Sequence, residues 1–294
     1  MRVTQGMLSN NMLRNLMQSN TKMSSYMDQL NTGKKITRPS DDPVVAMKGM
    51  GYRTELVKVE QFQRNTNEVH NWMDNSDAAL DKATSAMQRI RELSVQASNG
   101  TYDDEELANI SEEVKQLKEH LVDIANTNVN DKYIFNGTDT DIAPVNTINE
   151  GGEIEPGFTG GEVKIEVSSG TTLKANVSGA DVFGGEPSIF GAIDNFIDRL
   201  DSGEDIDSSI GELDVGINNI INSRAELGAR MNRLELVENR LSEQEVIATQ
   251  SMSSNEDIDY AEAITQLITQ ESLHRAALAA GSKIIQPSLV DFLR

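Results

Sequence analysis

The chain has 294 residues, 37% of them hydrophobic but only 4% aromatic, which argues against a thick globular core. It has no cysteine, so neither a disulfide framework nor a thiolate metal site is available. The net charge of −21 is unevenly placed, at +5 over residues 1–64 and −9, −13 and −4 over 65–140, 141–222 and 223–294; an acidic middle repels phosphate backbones and argues against nucleic acid as a partner.

The N-terminus, MRVTQGMLSNNML, has no apolar stretch before a cleavage site, and no run of about 18 apolar residues occurs anywhere, so no membrane insertion is expected. These facts suit a cytoplasmic protein, and equally one exported without a cleaved apolar signal. The lysines and arginines of the first 64 residues are dispersed rather than blocked. That is the pattern of a solvated helix face more than of a membrane or RNA contact.

The first helix carries a seam of Leu13, Leu16, Asn20, Met23, Met27 and Leu30, spaced three and four apart. It stops at Asn31-Thr32-Gly33, with glycine at the left-handed position. Lys34 to Pro39 reads as extended, because Pro39 biases Arg38 away from the helical region. Ser40, Asp41 and Asp42 then precede Pro43, an N-cap cluster with proline at the first helical position. A second helix runs through Phe62 toward Asn71. A third has a regular seam of Met73, Ser76, Leu80, Ala83, Met87, Ile90, Ser94 and Ala97, and stops at Asn99-Gly100. A fourth, capped in the Thr101–Asp104 region, has the seam Leu107, Ile110, Val114, Leu117, Leu121 and Ile124 and forms an antiparallel pair with the third.

From Tyr133 the character changes. Val163, Ile165 and Val167 alternate with charged residues as a half-buried strand does, and Thr172–Val177 and Ala180–Phe183 can supply further short strands. A short helix, Ile189 to Leu200, leads to an acidic turn. The return helix repeats Leu213, Ile220, Leu227, Leu234, Leu241 and Ala248 every seven residues, with Ile217, Met231 and Met252 on the adjoining row, which predicts a long rod. Ser253-Ser254-Asn255, with Glu256 and Asp257, is expected to recap a final helix. On that helix Tyr260, Ile264, Leu267, His274, Leu278 and Ile285 share a face filled in by Ala261, Ala277 and Gly281. The fold class is therefore mainly α with a small β-rich insertion.

Catalytic chemistry finds no support. His70, His120 and His274 lie on different segments, no HExxH pattern occurs, and no glycine pair meets a phosphate-binding GK[ST]. Asp201, Gly203, Asp205, Asp207 and Glu212 copy several oxygen positions of a calcium loop, but the sixth position, which needs glycine, is Ile206. A capped turn before a helix explains those acids equally well. No catalytic, cofactor or metal site is predicted.

LNTGKKITRPSDDPVVAM, Leu30 to Met47, resembles the N-terminal signature of the flagellin superfamily. The Pro39-Ser40-Asp41-Asp42-Pro43 version resembles its hook-associated branch, the FlgL type, which joins hook to filament. VQASNGTYDDEEL (95–107), YIFNG (133–137) and RAELGARMNRLELVENRL (224–241) are similar to the family's rod turn, strand start and return helix. ALAAGSKIIQPSLVDFL (277–293) resembles the terminal helix of the hook-associated branch. The resemblance spans residues 1–137 and 205–294.

It implies layered domains: terminal helices (1–43 with 254–294) forming an inner tube, a helical rod (44–137 with 187–253) and a variable outer β domain (138–186). It also implies an extracellular flagellar location, reached by type III export without a cleaved signal. The expected partners are copies of the chain itself in a ring, a hook-side junction protein, the filament flagellin, and an export chaperone at the C-terminal helix. Leu13, Leu16, Met23, Met27, Leu30, Ile264, Leu267, Leu278, Ile285, Leu289 and Phe292 are the expected assembly interface, with Gly33 and Pro39–Pro43 as the linker. A helix with one apolar stripe needs a partner, so the ends are expected to be mobile before assembly. Eight of the 12 methionines lie in the first 50 residues, which fits adaptable packing against differing neighbours and equally a simple replacement of leucine.

Overall fold

The computed structural model describes residues 5–99, 103–147, 154–203 and 205–285. Its elements in chain order are α1 (Gln5–Thr32), α2 (Pro43–Ser98), α3 (Asp104–Ala125), β1 (Asn128–Val129), β2 (Lys132–Tyr133), β3 (Val145–Thr147), β4 (Ile154–Pro156), β5 (Lys164–Ser168), β6 (Thr171–Lys174), α4 (Gly179–Phe183), α5 (Ile189–Ser202), α6 (Ile206–Glu256) and α7 (Tyr260–Ile285). The chain divides into two compact units, one formed by residues 1–58 and 244–294, the other by residues 59–243. Both divisions fall inside long helices, α2 and α6.

The larger unit holds the core. Every residue of the expected third-helix seam, from Met73 to Ala97, is buried, and so are Leu213, Ile220, Leu227, Leu234 and Leu241 on the heptad of α6. Leu107, Ile110, Val114, Leu121 and Ile124 bring one face of α3 into the same cluster. The apolar period thus chose the buried face of each helix. Ion pairs tie the helices at the rim: Arg89 to Glu113 at 2.8 Å, Arg91 to Asp214 at 2.5 Å, and Arg224 to both Asp77 and Asp81 at 2.8 and 2.7 Å.

The expected second and third helices are one. α2 runs unbroken for 56 residues. Asn65 to Asn71 is polar apart from Val69, but no proline or glycine lies between Gly51 and Ser98 to end the helix.

The β-rich segment consists of three separate antiparallel hairpins, β1–β2, β3–β4 and β5–β6. Asn136 fastens it. Its buried amide donates to the carbonyls of Asp139 and Ile142, both at 2.9 Å, and its Oδ1 accepts from the Thr159 amide at 3.0 Å. Four of the seven phenylalanines then gather. Phe183 lies 5.5 Å from Phe135 edge to face, and stacks on Phe158 and Phe190 at 5.8 and 6.0 Å. Ala180–Phe183, expected as a strand, is instead α4: the Ser178 hydroxyl caps it by accepting from the Asp181 amide.

Around the suspected calcium loop the acids have other uses. Gly203 ends α5 in the left-handed conformation, the Asp205 side chain accepts from Ser208 at 3.0 Å, and Glu212 accepts from Arg199 and Asn195. No group of three or more His, Asp and Glu side chains among the described residues is placed to hold a metal ion, and no described helix is long and apolar enough to cross a membrane.

Candidate assembly surface

The smaller unit has almost no core. Among its described hydrophobic residues only Ala248 and Ala263 are buried, whereas Met7, Leu8, Met17, Met47, Met50, Ile264 and Ile268 are exposed. Water-exposed apolar rows of this extent mark a surface meant to be covered.

Its main body is the antiparallel pair α1–α7. Gly33 sits beside Tyr260, the Ser19 hydroxyl accepts from the Gln270 amide at 2.7 Å, and Met12 lies over Gly281. Ser9, Met12, Leu16, Ser19, Met23, Tyr26 and Leu30 form a half-buried row on α1, alternating three and four apart, with Gln29 half-buried beside it. On α7, Ala263, Leu267, Gln270, His274, Ala277 and Gly281 form a less exposed row of the same spacing, with Glu271 half-buried beside it. Small residues on α7 let the larger α1 side chains approach closely.

Of the expected interface residues, Leu16, Met23, Leu30 and Leu267 therefore lie on this inner row. Leu13 (48% exposed), Met27 (52%), Ile264 (46%) and Leu278 (49%) point away from it into solvent. The expected single seam is two rows: one closed within the subunit, one open. Ile285 is the last residue of α7, its side chain not described, and Leu289 and Phe292 lie outside the described residues.

The linker signature is built from two capping carboxylates. Gly33 takes φ +69°, the left-handed conformation expected at the end of α1. Asp42 accepts from the amides of Val44 and Val45 at 2.9 and 3.1 Å, capping α2, whose first residue is Pro43. Asp41 turns backward and accepts from the Arg38 and Thr37 amides at 2.9 and 3.3 Å. Those backbone donors, the Arg38 amide foremost, hold its carboxyl below the ordinary aspartate range. Pro39 and Ser40 are exposed in the turn between. A cleft of about 1150 Å³ opens alongside, lined by polar side chains such as Asn20, Ser24, Asp28, Lys35 and Arg38.

The linker also meets the junction between α6 and α7. The Lys35 amide donates to the Glu256 carbonyl at 2.7 Å and the Ile258 amide to the Gly33 carbonyl at 3.0 Å, a two-rung antiparallel bridge. Lys34 Nζ lies 2.7 Å from Asp257; that hydrogen bond, reinforced by the two neighbouring carboxylates, raises the lysine pKa above its ordinary value. Asp257 is correspondingly lowered, by Lys34 first and by the Ser253 hydroxyl second. Glu256 and Asp257 do not cap α7, contrary to expectation. α6 extends through Glu256, and the cap is Asp259, which accepts from the Ala261 and Glu262 amides at 2.9 and 3.2 Å. Nothing in the local sequence marks Glu256 as buried, since acids at a helix end read as caps.

A cored helical unit and a core-less pair of terminal helices with open apolar rows are the marks of a structural subunit of the assembling kind. Residues 3–140 match the bacterial flagellin N-terminal helical region and residues 210–293 the flagellin C-terminal helical region. The chain thus belongs to the flagellin family, the structural proteins of the bacterial flagellum. It is 28% identical to flagellar hook-associated protein 3 of Escherichia coli (strain K12) over 306 aligned positions, covering 94% of each chain. It is 28% identical to flagellin of Bacillus subtilis (strain 168) over 303, covering 95% of this chain and 94% of that one. The flagellar junction protein FlgL from Legionella pneumophila has the same fold, with TM-score 0.62 and 16% identity over 71% of this chain and 100% of that one.

Proposed function

We propose that the chain is the adaptor of the hook–filament junction, a ring-forming subunit that presents to flagellin the surface on which the filament grows. The observation that carries the assembly half of this reading is the second, uncovered apolar row on α1 and α7. One row of each helix is closed by the other within the subunit, and the remaining side chains, such as Leu13, Met17, Ile264 and Ile268, are exposed. Neighbouring copies offer the burial they lack. Placement at the junction is supported by the Pro39–Pro43 version of the linker and by similarity to the Escherichia coli hook-associated protein.

In this reading the terminal helices line the inner tube, the rod surrounds them, and residues 138–186 face outward. The flanking partners are a hook-side junction protein and the filament flagellin. The chain leaves the cell through the flagellar export apparatus, unfolded and with no signal removed, and a cytoplasmic chaperone covers the C-terminal helix until then. Its role is to assemble, not to catalyse.

Deletion of the gene tests the proposal. Hooks without filaments and flagellin lost to the medium are expected, with the protein in a band at the hook–filament boundary. Normal filaments in the deletion strain would overturn it. Equal identity to the Bacillus subtilis flagellin supports a second reading, a short filament flagellin. Growth of purified protein into long filaments, and labelling along the whole filament, would favour that one.

A further inference from the structure

Among its described residues the smaller unit buries the carboxylate of Glu256 although it buries almost no apolar side chain. Glu256, the last residue of α6, is 4% exposed. Its Oε2 lies 2.5 Å from Arg53 Nη2 and 3.5 Å from Lys34 Nζ. Its other oxygen, Oε1, occupies the space over Gly49 where any larger residue would place a Cβ. Two residues further on, a Cβ on Gly51 would meet nothing. Gly49 is thus a seat shaped for this carboxylate, and the neighbouring glycine of the same helix is not.

Three pieces of chain meet at that point. Arg53 and Gly49 belong to the first turns of α2, Lys34 to the linker after α1, and Glu256 to the end of α6, where its carbonyl accepts from Lys35. The Asn255 side chain adds a bond to the Val45 carbonyl at 3.0 Å. An apolar contact tolerates sliding. A buried charge held by two cations does not, because any shift leaves it desolvated and unpaired. The arrangement therefore admits one placement of the α1–α7 pair on the start of α2 and the end of α6.

We propose that the Glu256 carboxylate, seated on Gly49 between Arg53 and Lys34, is the positioning group that fixes the terminal-helix pair for entry into the assembly. Lys34, Gly49, Arg53 and Glu256 form one latch. The latch sets the direction in which the open rows of α1 and α7 meet neighbouring copies. This rests on the assembly reading given above.

The test uses the full-length chain in a deletion strain, with amide exchange on the purified subunit. Gly49→Ala is expected to cut the number of filament-bearing cells by about tenfold or more and to speed exchange at the Lys35 and Ile258 amides by about tenfold. Unfolding of the larger unit should not change. Gly51→Ala, placed where a methyl group meets nothing, should behave as wild type. Adding Glu256→Asp to Gly49→Ala draws the carboxylate back from the new methyl group and should restore both exchange protection and filaments. Normal incorporation of Gly49→Ala, or no restoration by the shorter acid, would overturn the latch. If the wild-type chain is absent from flagella, the assembly reading fails instead, and the exchange rates still decide whether the latch exists.

Discussion

Met12 lies directly over Gly281, so closely that a Cβ at Gly281 would fall within its terminal Sδ–Cε group. The contact sets how near α1 and α7 approach along the half of the pair farthest from the linker. Gly281→Val is therefore expected to push the Met12 thioether out of the pair and to reduce incorporation into flagella. The cored unit is untouched, so its unfolding free energy should stay within about 0.5 kcal/mol. Motility assays and thermal unfolding of the purified variant check the two halves of this expectation separately.

On α6, Leu227 is fully buried and Leu236 is 71% exposed, only nine positions later. Leu227→Ala should cost about 2–5 kcal/mol through lost transfer energy and the cavity left behind. Leu236→Ala should cost at most about 0.5 kcal/mol in the isolated subunit. Chemical denaturation of both variants gives the comparison. A large loss from Leu236→Ala in the monomer would mean that residue is not solvent-facing.

The scarcity of apolar burial among the described residues of the smaller unit predicts how the free subunit is digested. Segments with few buried contacts open at low free energy and are cut first. Brief protease treatment of the monomer should remove most of α1 and α7 and leave a resistant fragment close to residues 59–243. The same treatment of assembled material should spare the terminal helices. Resistance of both ends in the monomer would contradict ordering on assembly.

Arg199 and Asn195 both donate to Glu212, at 2.8 and 3.0 Å, and these bonds, Asn195 first, lower its carboxyl below the ordinary glutamate range. A group lowered in the folded state stabilises it at pH values above the unfolded pKa, about 4.3, and the contribution is lost as pH falls through the folded value. Wild type should therefore be more stable than Glu212→Gln at neutral pH, with the gap closing below about pH 4. Melting temperatures of the two proteins across pH 3–7 measure it. A gap that widens on acidification would reverse the assignment.

The buried faces of α2, α3 and α6 were legible because each packs an apolar period against a core that admits nothing else. The row of α1 was legible only in part. Leu16, Met23 and Leu30 belong to the inner row, but Met12 and Tyr26 complete it in place of Leu13 and Met27. Two adjacent rows of similar apolarity run along this helix, and the small residues of α7 chose between them. Only the partner helix carries that information. The Glu256 seat was hidden for a related reason: a carboxylate at a helix end is an ordinary sight, and what makes this one different is a glycine more than two hundred positions earlier in the chain. The turn chemistry around Gly33, Asp42 and Pro43 was fully local and so could be read directly.

The β5–β6 turn, at Ser169 and Gly170, is exposed at the far side of a hairpin whose anchorage lies elsewhere. Gly170 takes φ +71°, and its amide donates to Glu166 of the same hairpin. The Phe135–Phe158–Phe183–Phe190 cluster and the Asn136 bonds secure the segment independently of this tip. Foreign peptide spliced in at this tip would leave those anchors intact, making the turn a graft site for epitopes or affinity tags.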